Sequence, residues 1–278
     1  MSGTPEAGRR KLEAGNWKRI LAAAVLLPVV VGTVWFLPAI ATVILAVAAA
    51  VLACLEYAGM AMVLGAHVPR AFTTVAVAAA CAAVPIVALP LDLILLSAVV
   101  VVGSLAVASG RPGPAILRDA AASLFPILYI ALPLGAIAAV RVHGGREAVL
   151  LLMLTIVVSD TAQYYTGRAF GRVPLAPAIS PKKTREGAIG GLVLGTAAMT
   201  LGGTWVFRDA SAALLVLSSA TVVVLGIVGD LFESLLKRSA GVKDSSALIP
   251  GHGGMLDRID SWLFAGPLFY VLVRYLQA

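Results

Sequence analysis

Long apolar runs, broken by short polar or proline-bearing stretches, organise this chain. A helix rises about 1.5 Å per residue, so roughly 20 apolar residues cross a bilayer core. On that scale the pattern predicts nine spans: 19–37, 39–64, 71–89, 92–109, 120–140, 148–166, 187–207, 211–236 and 261–277. Pro38, Pro69, Pro90 and Pro112 mark several of the breaks. Runs 39–64 and 211–236 are long, which predicts tilt or extension beyond the bilayer. The first 17 residues are polar, and Lys18 and Arg19 lead into the first run. That start resembles a signal anchor without a clear cleavage site, so the run is expected to stay as the first span. The expected fold is an all-α integral membrane protein with about nine transmembrane helices. A polar tail (1–17), a transmembrane scaffold (18–150) and a chemistry-bearing transmembrane region (151–278) are expected to follow one another.

Composition agrees with the pattern. The chain is 60% apolar and 13% charged, with mean hydropathy +0.98. Soluble domains run near 45–50% and about 25%. A disordered chain, a collagen, a disulfide-knotted domain and an ordinary cytosolic enzyme are thereby excluded. Aromatics make up only 6%, so Ala, Val, Leu and Gly supply the apolar bulk and favour close helix approach. Cys54 and Cys81 both lie in apolar runs and read as small hydrophobes.

Charge then gives direction. The formal net charge is +7, which in a soluble chain would suggest nucleic acid. Here the basic residues alternate with the spans, and no nucleic-acid partner is expected. If the N-terminus is inside, 17 of the 21 Lys and Arg residues lie inside, leaving only Arg141, Arg146, Arg208 and Arg274 outside. The positive-inside rule therefore predicts a cytoplasmic N-terminus and an external C-terminus.

Polar residues are uneven. Glu56 is the one acid deep in an early run, and reads as a helix-end or interhelical hydrogen bond. The stretch 155–262 is different, with Asp160, Glu186, Asp230, Glu233, Asp244, Asp257 and Asp260 around two inside loops, 167–186 and 237–260. Asp160, Gln163, Tyr164 and Gly167 share a helical face at the inner end of a span. A carboxylate there needs a cation or a cavity, the plainer alternative being a polar clasp between helices. Ser180-Pro181-Lys182-Lys183-Thr184-Arg185-Glu186-Gly187 precedes a Gly-rich helix start. Lysines, hydroxyls and helix N–H groups suit phosphate oxygens, while a basic loop facing anionic lipid is the alternative. Gly187, Gly191 and Gly195 recur every four residues and predict close helix packing. Finally, Asp230, Glu233, Ser234, Lys237 and Arg238 lie on one side of a helix. Past Lys243 and Asp244, a glycine loop with His252, Gly253 and Gly254 leads to Asp257, Arg258 and Asp260. Acids on separate helix ends can clamp a hard cation, and Mg²⁺ needs only one or two carboxylates when water and phosphate complete its shell.

The run Ser-x-x-Lys-Arg, four residues, Lys-Asp, then Pro-Gly-His-Gly-Gly-x-x-Asp-Arg-x-Asp at 234–260 resembles the signature of phosphatidate cytidylyltransferases, the CDP-diacylglycerol synthases. Asp160, Tyr164, Gly167, Arg168 and the Ser180–Gly187 run match the family's upstream pattern, with Arg185 and Gln163 departing from it. The motif resemblance covers about residues 159–262. It implies an inner-membrane, multi-pass nucleotidyltransferase of phospholipid biosynthesis. Such an enzyme makes CDP-diacylglycerol and pyrophosphate from phosphatidic acid and CTP at the cytoplasmic face, with Mg²⁺. A second, monovalent cation and a homodimer are compatible with the family. By resemblance, Asp230 and Asp257 are the expected Mg²⁺ ligands. Lys182, Lys183, Lys237, Arg238 and Arg258 are expected to bind the phosphates of CTP or lipid. Asp260 and Glu233 would support the ligands or add to them, and Asp160 would contact nucleotide or metal. Tyr164, Ser180, Thr184, Glu186, Ser234, Lys243, Asp244, His252, Gly253 and Gly254 complete the expected substrate contacts. A transporter is the rival class, but its paired repeat halves are not seen and the polar motifs gather on one side. The Asp-x-x-Asp-Gly-x-x-Ala-Arg pattern of CDP-alcohol phosphotransferases is absent.

Overall fold

The computed structural model describes residues 24–110, 112–249 and 253–276. The expectations for the N-terminal tail, Lys18, Arg19, Pro250, Gly251 and His252 fall outside those residues. Nine α-helices follow one another among the described residues. They are α1 (Ala24–Phe36), α2 (Ala39–Val63), α3 (Arg70–Ala83), α4 (Leu91–Ala108), α5 (Ala115–Pro126), α6 (Leu132–Phe170), α7 (Arg185–Val206), α8 (Ala212–Ser239) and α9 (Leu256–Leu276).

The all-α, multi-pass expectation holds, but the helices divide the chain differently from the hydropathy runs. Five stretches are long and apolar enough to cross a membrane: Ala39–Val63, Leu91–Ala108, Ala115–Phe170, Arg185–Val206 and Ala212–Ser239. The helices Ala24–Phe36 and Arg70–Ala83 are apolar but shorter. The run at 71–89 loses its helix after Ala83, beside Pro85. Runs 120–140 and 148–166 belong to one 56-residue helical stretch instead of two separated helices. Its first irregularity is a π turn, Ile127–Ala131, between Pro126 and Pro133. Each proline lacks the N–H that a regular α ladder needs, and the wider turn absorbs the gap. The second is Gly145, at φ 78° and ψ −178°, a conformation that glycine adopts without a Cβ clash. The helix therefore changes direction at Gly145 without a connecting loop.

Two arginines fasten that bend. Arg141 donates from Nε to the Val34 carbonyl at 3.2 Å and from Nη2 to that of Leu37 at 3.3 Å. Arg146 donates to the Trp35 carbonyl at 3.3 Å and lies over the Trp35 ring at 4.4 Å. The last carbonyls of a helix have no partner within it, so these cations satisfy the end of α1.

The core is built from small residues. Ala46, Ala50 and Ala53 of α2, and Ala76, Ala80 and Cys81 of α3, are all buried. Both cysteines are free and buried, as the apolar context predicts. Tyr57, Phe125, Tyr129, Phe232 and Phe264 pack in stacked, tilted and edge-on pairs with centroids 5.2–6.3 Å apart. This aromatic knot joins α2 and the π turn to α8 and α9, so the N-terminal helices brace the helices that carry the polar motifs.

The long inside segment 167–186 is shorter and more ordered than the sequence suggests. Helix α6 runs on to Phe170, and a two-stranded antiparallel hairpin follows, β1 (Pro174–Ala176) with β2 (Ser180–Thr184). The hairpin turns the chain back so that α7 begins against the end of α6.

Candidate functional site

The site grows from the α6–α7 crossing. A Cβ on Gly187 would sit 2.8 Å from the Gln163 carbonyl oxygen and 3.2 Å from the Gly167 Cα. A Cβ on Gly195 would sit 2.9 Å from that of Ser159. Only hydrogen at these positions lets the two backbones meet, as the four-residue glycine repeat predicts. Thr184 is the N-cap of α7, its hydroxyl accepting from Gly187 N at 3.1 Å. Glu186 Oε2 accepts from the amides of Arg172 and Val173 at 3.0 and 3.3 Å, which pins the hairpin to α7.

A cavity of about 470 Å³ opens beside this seam, within the range of about 300–1,000 Å³ usual for small-molecule sites. Asp160, Tyr164 and Arg168 of α6, Lys182 and Lys183 of β2, and Asp230 of α8 line it. Three separate sequence motifs thus converge on one space. Lys183 forms an ion pair with Asp230 across the cavity wall. Gln163 donates to Asp160 Oδ1 at 3.1 Å, and Arg168 donates to the Tyr164 hydroxyl at 3.3 Å. Gln163, a departure from the family pattern, therefore holds an acid of the site. Asp260 follows on α9, its backbone carbonyl against Gly229. Burial first, then the charges of Asp230 and Asp160, push its carboxyl above the usual carboxylate range.

A second cluster lies around Lys237. Its ammonium is paired with both Glu233 and Asp257, and all three are largely buried. Asp257 Oδ2 accepts from Gly254 N at 2.7 Å, Ser245 Oγ at 2.8 Å and Ser245 N at 2.9 Å. Burial acts to raise the Asp257 carboxyl, but Lys237 and these donors hold it below the usual carboxylate range. Arg238 reaches backwards, donating to the carbonyls of Ile179 at 3.3 Å and Val242 at 2.8 Å, so it ties the hairpin to the segment after α8.

The structure thus brings Asp160, Tyr164, Lys182, Lys183, Thr184 and Asp230 to one cavity. It gathers Lys237, Asp257 and Gly254 at a neighbouring cluster. It does not gather every expected residue, because Glu186 and Arg238 spend their polar atoms on backbone groups. Ser180 is half-buried in β2, Ser234 half-buried on α8, and Lys243, Asp244 and Arg258 are exposed. Gly253 takes a φ of 79° beside the Asp257 carboxylate. Sequence reasoning missed Ser245 and Ser246, whose only signal is a hydroxyl pair directly after Lys243-Asp244.

The donor chemistry fits Mg²⁺. No three acid, imidazole or thiol groups among the described residues converge tightly enough to hold a metal by themselves. A phosphate-bound Mg²⁺ does not need three, since one or two carboxylates suffice. Asp230 and Asp160 face the cavity. Asp257 has three donors on Oδ2, leaving Oδ1, shared with Lys237, as its available oxygen.

A profile of the cytidylyltransferase family matches residues 17–276. A phosphatidate cytidylyltransferase of Helicobacter pylori (strain J99) is 36% identical over 190 residues, covering 68% of this chain and 67% of that protein. One from Haemophilus influenzae is 46% identical over 131 residues, covering 46% of each. The chloroplastic phosphatidate cytidylyltransferase 5 of Arabidopsis thaliana is 47% identical over 134 residues, covering 47% of this chain and 32% of that protein. The matched stretches thus span between about a third and two thirds of those relatives' lengths.

Proposed function

The chain belongs to the cytidylyltransferase family, and from that membership we propose that it joins phosphatidic acid and CTP into CDP-diacylglycerol and pyrophosphate. The observation that carries this reading is the cavity where Asp160 and Asp230 stand with Lys182 and Lys183. Acids together with ammonium groups suit a reaction between two polyanions assisted by a hard cation. A phosphate oxygen of phosphatidic acid attacks the α-phosphorus of CTP. The new O–P bond forms as the bond to the bridging oxygen of pyrophosphate breaks. The attacking phosphate monoester is already largely ionised near neutral pH, so no general base is assigned.

Lys182 and Lys183 offset the repulsion between the reactants and hold phosphate oxygens in place. Arg258 is the proposed phosphate contact beside the neighbouring cluster, where Lys237, already paired with Glu233 and Asp257, holds the Asp257 carboxylate, and Asp260 supports the acids around it. Asp230 and Asp257 are the proposed Mg²⁺ ligands, with Asp160 contacting the nucleotide or the metal. Bound there, Mg²⁺ would neutralise charge developing on the leaving pyrophosphate. The acyl tails stay in the hydrocarbon while CTP enters from water.

Topologically, the proposal is a nine-span protein of the inner membrane with N-terminus and site cytoplasmic. A reporter fused near Asp209 is expected to read as external, and one near Ser245 as cytoplasmic. The opposite pair of readings rejects this orientation. Activity is tested by incubating the purified protein in detergent with CTP radiolabelled at the α-phosphate, Mg²⁺ and phosphatidic acid. Label is expected to move into lipid with equimolar pyrophosphate, and chelation of Mg²⁺ is expected to stop it. Unlabelled lipid, with solute flux in reconstituted vesicles, would instead identify a transporter.

A further inference from the structure

The transfer reaction makes no use of Glu56, yet its carboxylate accepts four hydrogen bonds. It lies about two turns before the C-terminal end of α2 and is 8% exposed. All of its donors come from the other end of the chain. Oε1 accepts from Ser246 Oγ at 2.7 Å and Met255 N at 2.8 Å. Oε2 accepts from Ser245 Oγ at 2.9 Å and Leu256 N at 2.8 Å. Met255 and Leu256 lead into α9, whose first amides have no partner inside the helix and favour an anion. Four donors offset the cost of burying the charge. Gly254 passes so close that any side chain there would strike the Glu56 oxygens and the Ser245 hydroxyl.

The same elements hold Asp257. Ser245 Oγ lies 2.9 Å from Glu56 Oε2 and 2.8 Å from Asp257 Oδ2, so one hydroxyl proton serves both acids. Ser245 N and Gly254 N both point to Asp257. Two carboxylates, 201 positions apart in sequence, thus both hold Ser245 and the short stretch Gly254–Leu256. Asp257 in turn orients Lys237. We propose that Glu56 is a positioning residue for the Asp257–Lys237 cluster, setting the place of these two groups through Ser245, Gly254 and the start of α9. Its influence on turnover rests on the transferase reading, whereas its hold on the segment does not.

The test uses the full chain in detergent. Glu56→Gln places an amide NH₂ where one oxygen accepted two protons. We expect kcat to fall and the half-saturating Mg²⁺ concentration to rise, each about 10–100-fold. The KM for phosphatidic acid is expected to stay within about twofold, because only the Asp257 cluster shifts. Amide hydrogen exchange at Ser245 and Gly254, which do not bond Glu56 through their amides, is expected to quicken. Glu56→Asp, which keeps the charge, should recover part of each change. Wild-type kcat and Mg²⁺ dependence in Glu56→Gln would overturn the proposal. So would a lowered melting temperature with wild-type Mg²⁺ dependence in the folded fraction, since that marks a purely structural role. If the wild type transfers no label, the reaction reading fails, and exchange alone decides: unchanged protection overturns the proposal, lost protection upholds it. If Glu56→Gln does not fold, Ser245→Ala cuts only the bridge, and unchanged exchange at Gly254 with unchanged Mg²⁺ dependence overturns it.

Discussion

Asp257→Asn is expected to reduce CTP-dependent transfer by at least about 10²–10³-fold, the loss usual when one group that stabilises transition-state charge is removed. The substitution is nearly isosteric, so the three donors on Oδ2 can still find an acceptor oxygen. What disappears is the charge, and the amide NH₂ then faces the Lys237 ammonium. Lys237 keeps Glu233 as a partner, so the buried cation is not left alone. The expected result is therefore a folded protein with almost no turnover. Lys237→Met is the harsher companion, since it leaves Glu233 and Asp257 both buried and without their shared cation. Removing one partner of a buried pair costs about 3–5 kcal/mol, so this variant should lose stability as well as activity. Label transfer and thermal unfolding in the same detergent separate the two outcomes. Near-normal turnover of Asp257→Asn at ordinary Mg²⁺ would reject Asp257 as a ligand.

That contrast shows which parts of the site are legible from sequence. The i, i+3, i+4 spacing of Asp160, Gln163 and Tyr164 places them on one helical face, and the structure sets them together at the cavity. The glycine repeat at 187, 191 and 195 predicts the tight α6–α7 seam, because absence of a side chain is itself a spatial statement. Hydropathy locates most apolar helices for the same local reason. It does not reveal that runs 120–140 and 148–166 share one helical stretch, because the mostly polar residues 141–147 between them read as a loop but stay helical, bending at Gly145. Nor does it reveal the hairpin at 174–184, whose five-residue strand carries Pro181 and two lysines instead of an alternating apolar pattern. Glu56 is the furthest from view. Its partners are 189–200 positions away, so no sequence window contains them. Glu186 and Arg238 show the converse. Their motif positions suggest substrate contacts, while their atoms are engaged by backbone groups that only the fold brings near.

The seam itself gives the second large effect. Gly187→Ala adds one carbon 2.8 Å from the Gln163 carbonyl oxygen, 3.0 Å from the Thr184 hydroxyl oxygen and 3.2 Å from the Gly167 Cα, so two of its three nearest atoms are backbone. A flexible side chain could swing aside, but two packed helices cannot, so α6 and α7 must separate. Separation also strains the Thr184 cap and moves Lys183 relative to Asp160, because β2 runs directly into α7. Overpacking of this kind costs about 1–3 kcal/mol. A displacement of about 1 Å between positioned groups can lower turnover about 10²-fold. Gly103→Ala is the matched control, since nothing lies within 4 Å of its added carbon on α4. There the helix propensity of alanine should raise stability by about 0.5–1 kcal/mol. The same glycine-to-alanine change is thus expected to have opposite signs at two helical positions. Melting temperatures in one detergent, together with the KM for CTP, check this. A Gly187→Ala protein as stable and active as Gly103→Ala would mean that the close α6–α7 approach does not set the geometry of the cavity.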